Sequence, residues 1–165
     1  MDARTPLGEP DPDDVAAFWQ RFLAATDRPP ETPQPEAWPF GDSAELANEL
    51  IALVLEGVKH ATAGSVAEYE AEGEALPQLG DFEIALDGTM RPRAVLQITD
   101  VRVGPLSLSV DDQFAYDEGE GDRTRECWLT AHSTFFQRLL PGIGIEFDVD
   151  MPTIFQRFDV PYQEG

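Results

Sequence analysis

At 165 residues the chain has room for one domain with a hydrophobic core that needs no covalent staples. Its 32 acidic residues against 11 basic ones give a net charge of −21, which disfavours unspecific binding along a nucleic-acid backbone or to an anionic membrane. The single cysteine, Cys127, cannot close an internal disulfide, no charged leader with an apolar run opens the chain, and its apolar stretches fall far short of the roughly 20 residues a membrane span needs. A cytoplasmic protein is the expectation. Solubility, or life in a salty cell, accounts for such a surface. Screening over about 8 Å still lets one cleft stay locally positive.

Residues 1–12, with three prolines, read as a disordered lead-in to a single domain over residues 13–163. Asp13 or Asp14 can cap a first helix near 14–26, where Val15, Phe18, Trp19, Phe22 and Leu23 recur at helical spacing. Five prolines make residues 28–40 an extended connection, anchored at its end by Trp38 and Phe40. A second helix is expected at about 43–56, opened by a capping box of Asp42 and Glu45 and stopped by Gly57. A short extended piece and a polar helical turn around 66–72 follow. From residue 82 the period changes, and two strands joined at Asp87-Gly88 are expected, the second near 93–103. A short helix from about 110, an acidic loop, a long helix over 123–139 and a last strand near 153–160 complete an α+β domain. No internal repeat is present.

Ten of the eleven cations are arginines, and Lys59 is the only lysine. It lies in Gly57–Val58–Lys59–His60–Ala61–Thr62, at a helix-to-strand junction. A cation followed three residues later by a hydroxyl could clamp a phosphate or a base edge, or position a nucleophile beside an amine. The plainer reading is a helix end whose dipole a cation complements. The stretch Asp117–Glu118–Gly119–Glu120–Gly121–Asp122 invites a calcium reading, which fails because Arg123 and Leu129 stand where a glycine and a bidentate glutamate belong. It remains a solvated acidic loop, or a loop that folds one carboxylate into a pocket as an acid or base. His60 and His132 lack ligand-spaced partners, Cys127 reads as a core residue, and no phosphate loop or serine-hydrolase elbow is present. No metal or cofactor is expected.

Four segments in order resemble the ASCH domain family, within its longer bacterial group: WPFGDSAELANELIALVLEGVKHAT, EYEAEGEALPQLGDFEIALDG, FAYDEGEGDRTRECWLTAHSTFF and DMPTIFQRFDVPY. They cover about residues 15–162. The resemblance implies a PUA-like small mixed β-barrel with flanking helices and a cleft beside the Gly-x-Lys junction. It implies recognition of RNA or of a nucleoside there. Small members hydrolyse an acetylated cytidine with a lysine, a threonine and a glutamate, which map to Lys59, Thr62 and Glu118, with Glu120 competing for the last role. Other members resemble ribonucleases. Gly57, His60, Glu120, Arg123, Trp128 and His132, all within the specific stretches, are the implied ligand contacts. The extra N-terminal helix, the acidic surface and the EGEGD loop depart from the small hydrolases. Three functions therefore stand side by side: a binding module for RNA or a modified nucleoside, a hydrolase of an acylated cytosine nucleoside, and a protein-interaction domain with an inactive pocket.

Overall fold

A computed structural model describes residues 4–165, and the first three residues of the lead-in lie outside them. By their contacts the residues fall into two compact units, Met1–Gly57 with Phe82–Gln97 and Asp159–Gly165, and Val58–Asp81 with Ile98–Phe158. Strands run in the order β1-β3-β4-β5-β2, where β1 is Ala37–Pro39, β2 Ala61–Ser65, β3 Phe82–Leu86, β4 Pro92–Pro105 and β5 Pro152–Gln163.

In the first unit, helix α1 (Pro12–Ala25) buries the five residues whose spacing predicted it. Its cap is Asp11, neither Asp13 nor Asp14, because Pro12 takes the first helical position and the Asp11 carboxylate accepts the Asp13 N–H at 2.9 Å. Phe18, Trp19, Phe22 and Leu23 pack with Ile84, Leu86 and Val95. The lead-in has partners: the Thr5 carbonyl accepts the Ala44 N–H at 2.9 Å and the Thr5 N–H donates to Glu45. Glu45 is thus drawn away, and the capping box of Asp42 and Glu45 does not form. Ser43 caps α2 (Ala44–Leu55) instead, accepting the Leu46 N–H at 3.2 Å. Phe40 is buried, and the Trp38 indole donates to Glu83 at 3.1 Å. Strand β1 pairs parallel to β3, and β3 antiparallel to β4. The turn after β3 is wider than two residues, since the Asp87 carboxylate gathers the N–H groups of Thr89 and Arg91.

In the second unit β2 and β5 pair antiparallel, Thr62 facing Gln156. Helices α3 (Val66–Glu72), α4 (Leu106–Ser109), α5 (Asp112–Glu118) and α6 (Arg125–Leu139) follow, the last running into a 3-10 turn at Leu140–Ile143. Ala61, Phe114, Ala115, Trp128, Phe136 and Phe155 form the core. No helix among the described residues is long and apolar enough to cross a membrane.

Helix α3 buries none of its residues, yet one carboxyl on it is perturbed. Partial burial, then the neighbouring charge of Glu72, pushes Glu68 up to about 7, against a hydrogen bond from the Ser65 backbone. The folded value lies above the unfolded one, so this contribution is present below the ordinary carboxylate range and is lost as pH rises through about 7. Glu68→Gln is expected to gain on the order of 1 kcal/mol in urea denaturation at pH 8 and nothing at pH 4.

Candidate functional site

Helix α2 ends just before the lysine. Gly57 takes φ +80° after the helix, its N–H donating to the Val54 carbonyl at 3.0 Å. Three residues, Val58 to His60, then lead into β2. The Phe158 N–H donates to the His60 carbonyl at 3.0 Å, which fixes the phase of the ladder. The His60 N–H instead donates to the Asp117 carbonyl at 2.9 Å; from that phase Thr62 and Gly64 face β5 with their backbone groups, and Ala61 and Ala63 turn theirs away. The Ala61 carbonyl, buried but free of the ladder, accepts from Lys59 Nζ at 2.9 Å.

Two helix ends bring the rest. Asp111 caps α5 by accepting the Phe114 N–H at 2.7 Å, and Gly119 at φ +74° ends it, so that Glu118 stands in its last turn. Thr124 caps α6, on which Trp128 and His132, four residues apart, share a face. Their rings stack with centroids 3.8 Å apart and 15° between planes.

Lys59 Nζ donates to Glu118 Oε1 at 2.8 Å and to Glu120 Oε2 at 2.9 Å, so with Ala61 all three ammonium protons have acceptors. Lys59 is 1% exposed and Glu118 not at all, whereas Glu120 is a quarter exposed. The second Glu118 oxygen accepts from the Trp128 indole and meets His132 Nε2 at 3.2 Å. His132 Nδ1 lies 2.9 Å from the Trp128 carbonyl, which can only accept. Both imidazole nitrogens thus face acceptors, and the ring that satisfies both is the cation.

The charges hold one another. Burial pulls the Lys59 ammonium down, but the two glutamates beside it raise it above its ordinary value. Burial likewise opposes the His132 charge, and Glu118 overcomes it, so His132 is raised. Glu118 goes the other way: burial would raise it, yet Lys59 and His132 hold it well below the usual carboxylate range. Glu120, raised by burial and by repulsion from Glu118, is the member of the pair that protonates first. Glu118, Glu120 and His132 also offer three metal-ligand atoms within 4.8 Å of one another. A cation there would have to displace the Lys59 ammonium, which already bonds both carboxylates.

Lys59, Glu118, Glu120, Trp128 and His132 are thus brought together, and both glutamates bond the lysine. His60 stands one rung outside, 44% exposed, with Nε2 at 3.1 Å from Asp117 Oδ1. Asp117 is itself fixed by Gln113 at 2.9 Å and Arg157 at 3.1 Å, and despite its burial these partners lower its pKa. Arg123, at φ +64°, spends its Nε on the Tyr116 carbonyl and lies 3.6 Å over the Tyr116 ring. Thr62 makes no hydrogen bond to the cluster among the described residues. Strand alternation puts its side chain on the face of β2 opposite Ala61 and Ala63, which pack toward Phe155 and Trp128. Sequence reasoning missed Asp117, Gln113, Arg157 and the Ala61 carbonyl. Only Asp117 had a signal, in the acidic stretch, and a backbone acceptor has none.

The chain matches the ASCH domain family over residues 36–162. A crystal structure of a DUF984-family protein from Enterococcus faecalis V583 superposes with TM-score 0.82 at 36% identity, covering 90% of this chain and 88% of that one. The ASCH domain from Lactobacillus crispatus JV V101 gives TM-score 0.82 at 30% identity, covering 92% and 96%. Comparison with curated proteins found no match. The PUA-like α+β fold expected from the resemblance is the one these structures share.

Proposed function

The chain belongs to the ASCH domain family, and we propose that the Lys59 cluster is the floor of a recognition site for the base of a small nucleoside or nucleotide. The observation that carries this reading is a lysine with 1% exposure, bonded to two glutamates, beside a stacked tryptophan and an imidazolium. Taking such charges out of water costs several kcal/mol each, and an apolar set of similar volume would serve stability at least as well. Charged groups kept in that condition cluster at functional sites. Glu120 and His132, the cluster's partly exposed members, offer the acceptors and donors that read a base edge. The net charge of −21 favours a small ligand over a long polyanion.

Calorimetric titration with cytidine, uridine, adenosine, guanosine and short single-stranded RNAs, at two salt concentrations, tests this. Saturable nucleoside binding with little salt dependence, weakened about tenfold or more in Glu120→Gln, is the expected result. Binding of RNA alone, falling steeply with salt, contradicts it.

A hydrolase of acylated cytosine nucleosides is the second reading, and the Glu118–Glu120 pair favours it, since a carboxyl beside a carboxylate is an acid–base couple. In that case Lys59, charged and with all three protons already bonded, cannot accept a proton from Thr62, and its part is to hold Glu118 and Glu120 in position. Incubation with N4-acetylcytidine, followed by absorbance, separates turnover from binding. Equal inertness of wild type and Glu120→Gln removes this second reading.

A further inference from the structure

On the edge of β2 beside the cluster, Ala63 carries backbone groups with no backbone partner among the described residues. Strand β2 ends the strand order, so one of its sides has no neighbouring strand among the described residues. The ladder phase set by His60 and Phe158 turns the N–H and C=O of Ala61 and Ala63 toward that side. Lys59 occupies the Ala61 carbonyl. Ser65, next in phase, is already the N-terminal cap residue of α3. Ala63 is left with both backbone groups directed off the sheet and no backbone partner among the described residues.

We infer that the Ala63 peptide hydrogen-bonds a donor–acceptor edge of the ligand's base, next to the Lys59 cluster. This rests on the nucleoside reading above and adds how the base is selected. A residue in this phase presents one donor and one acceptor side by side, the complement of an amide-like ring edge such as N3 with its neighbouring exocyclic group in a pyrimidine. Two residues along a strand span about 7 Å, which places this pair one base-width from the carbonyl that Lys59 holds. An added peptide strand is the other ligand that open edges accept. It needs a run of free residues, and here there is one. Ala63 is only partly exposed, its side chain packed against the unit's core, so a flat ring edge suits the approach better than a chain.

The test compares uridine with N3-methyluridine, a neutral pair that differs only in the blocked edge. Methylation is expected to weaken binding by about tenfold or more. Ala63→Pro removes the N–H without touching a ladder bond, because that N–H faces away from β5. With its fold checked by circular dichroism, it is expected to bind uridine as weakly as wild type binds N3-methyluridine. Equal affinity for uridine and N3-methyluridine overturns the inference and leaves the nucleoside reading standing, and so does undiminished binding by folded Ala63→Pro. If the proline variant does not fold, the methylated pair alone decides. No binding of any nucleoside by wild type removes both.

Discussion

Lys59→Met is expected to lose about 3–5 kcal/mol of stability in urea denaturation at neutral pH. Methionine fits the volume, so the loss is electrostatic. Glu118, without any exposure, keeps the Trp128 indole and His132 but forfeits the ammonium that holds it ionised. Glu120 then has nothing between its charge and that of Glu118. A loss of this size is a large part of the 5–15 kcal/mol by which domains are stable. Its pH dependence has a definite sign. Wild-type Glu118 is depressed, so its contribution is present above the ordinary carboxylate range and lost as pH falls toward the folded value. In the variant Glu118 protonates more readily, so the gap to wild type narrows on acidification. Adding Glu118→Leu removes the stranded charge, and the double variant is expected to recover part of the loss. Strict additivity of the two changes contradicts the coupling.

Gly119→Ala is the second change with a large expected cost, about 2–4 kcal/mol. Gly119 sits at φ +74°, a conformation that side chains rarely adopt. A Cβ there would also stand 2.9 Å from the Val58 carbonyl oxygen and 3.1 Å from its carbon. Backbone cannot rotate out of the way, so the end of α5 must shift, and Glu118 and Glu120 shift with it. Gly57→Ala provides the comparison. Its φ is +80°, but a Cβ there meets nothing within 4 Å, so it carries the conformational cost alone, about 1–2 kcal/mol. The difference between the two in thermal or urea unfolding measures the clash. Equal losses contradict it. Nucleoside affinity is expected to fall in Gly119→Ala and not merely stability, because the cluster's geometry depends on where α5 stops.

Periodicity was enough for α1, α2 and α6, whereas the single turn α4 (Leu106–Ser109) left no period to read. The α1 stripe from Val15 to Leu23 is the buried set, and the change of period at residue 82 marks where β3 begins. Caps were harder, because a cap is decided within one residue and distant groups compete for it. Pro12 shifted the start of α1 to Asp11, and Thr5, 40 residues away, took Glu45 out of its capping box. Lys59 stood out by composition alone, as the single lysine of the chain. What sequence spacing could not show is that residues 59, 118, 120 and 132 meet. Their junction depends on the left-handed turn at Gly119 and on the face of α6, and each is legible singly but not in register with the other. The proton inventory was further out of reach. It follows from the Ala61 carbonyl and the Trp128 carbonyl, backbone groups that leave no mark in the side-chain pattern.

Because Lys59 is the only lysine, a sample labelled with 15N-lysine gives one side-chain ammonium resonance to follow by NMR. A buried ammonium with three bonded protons gives a sharp signal at neutral pH, slow in hydrogen exchange, that moves and saturates as a nucleoside is added. A rapidly exchanging, solvent-like amine signal, or one indifferent to every nucleoside, would contradict it.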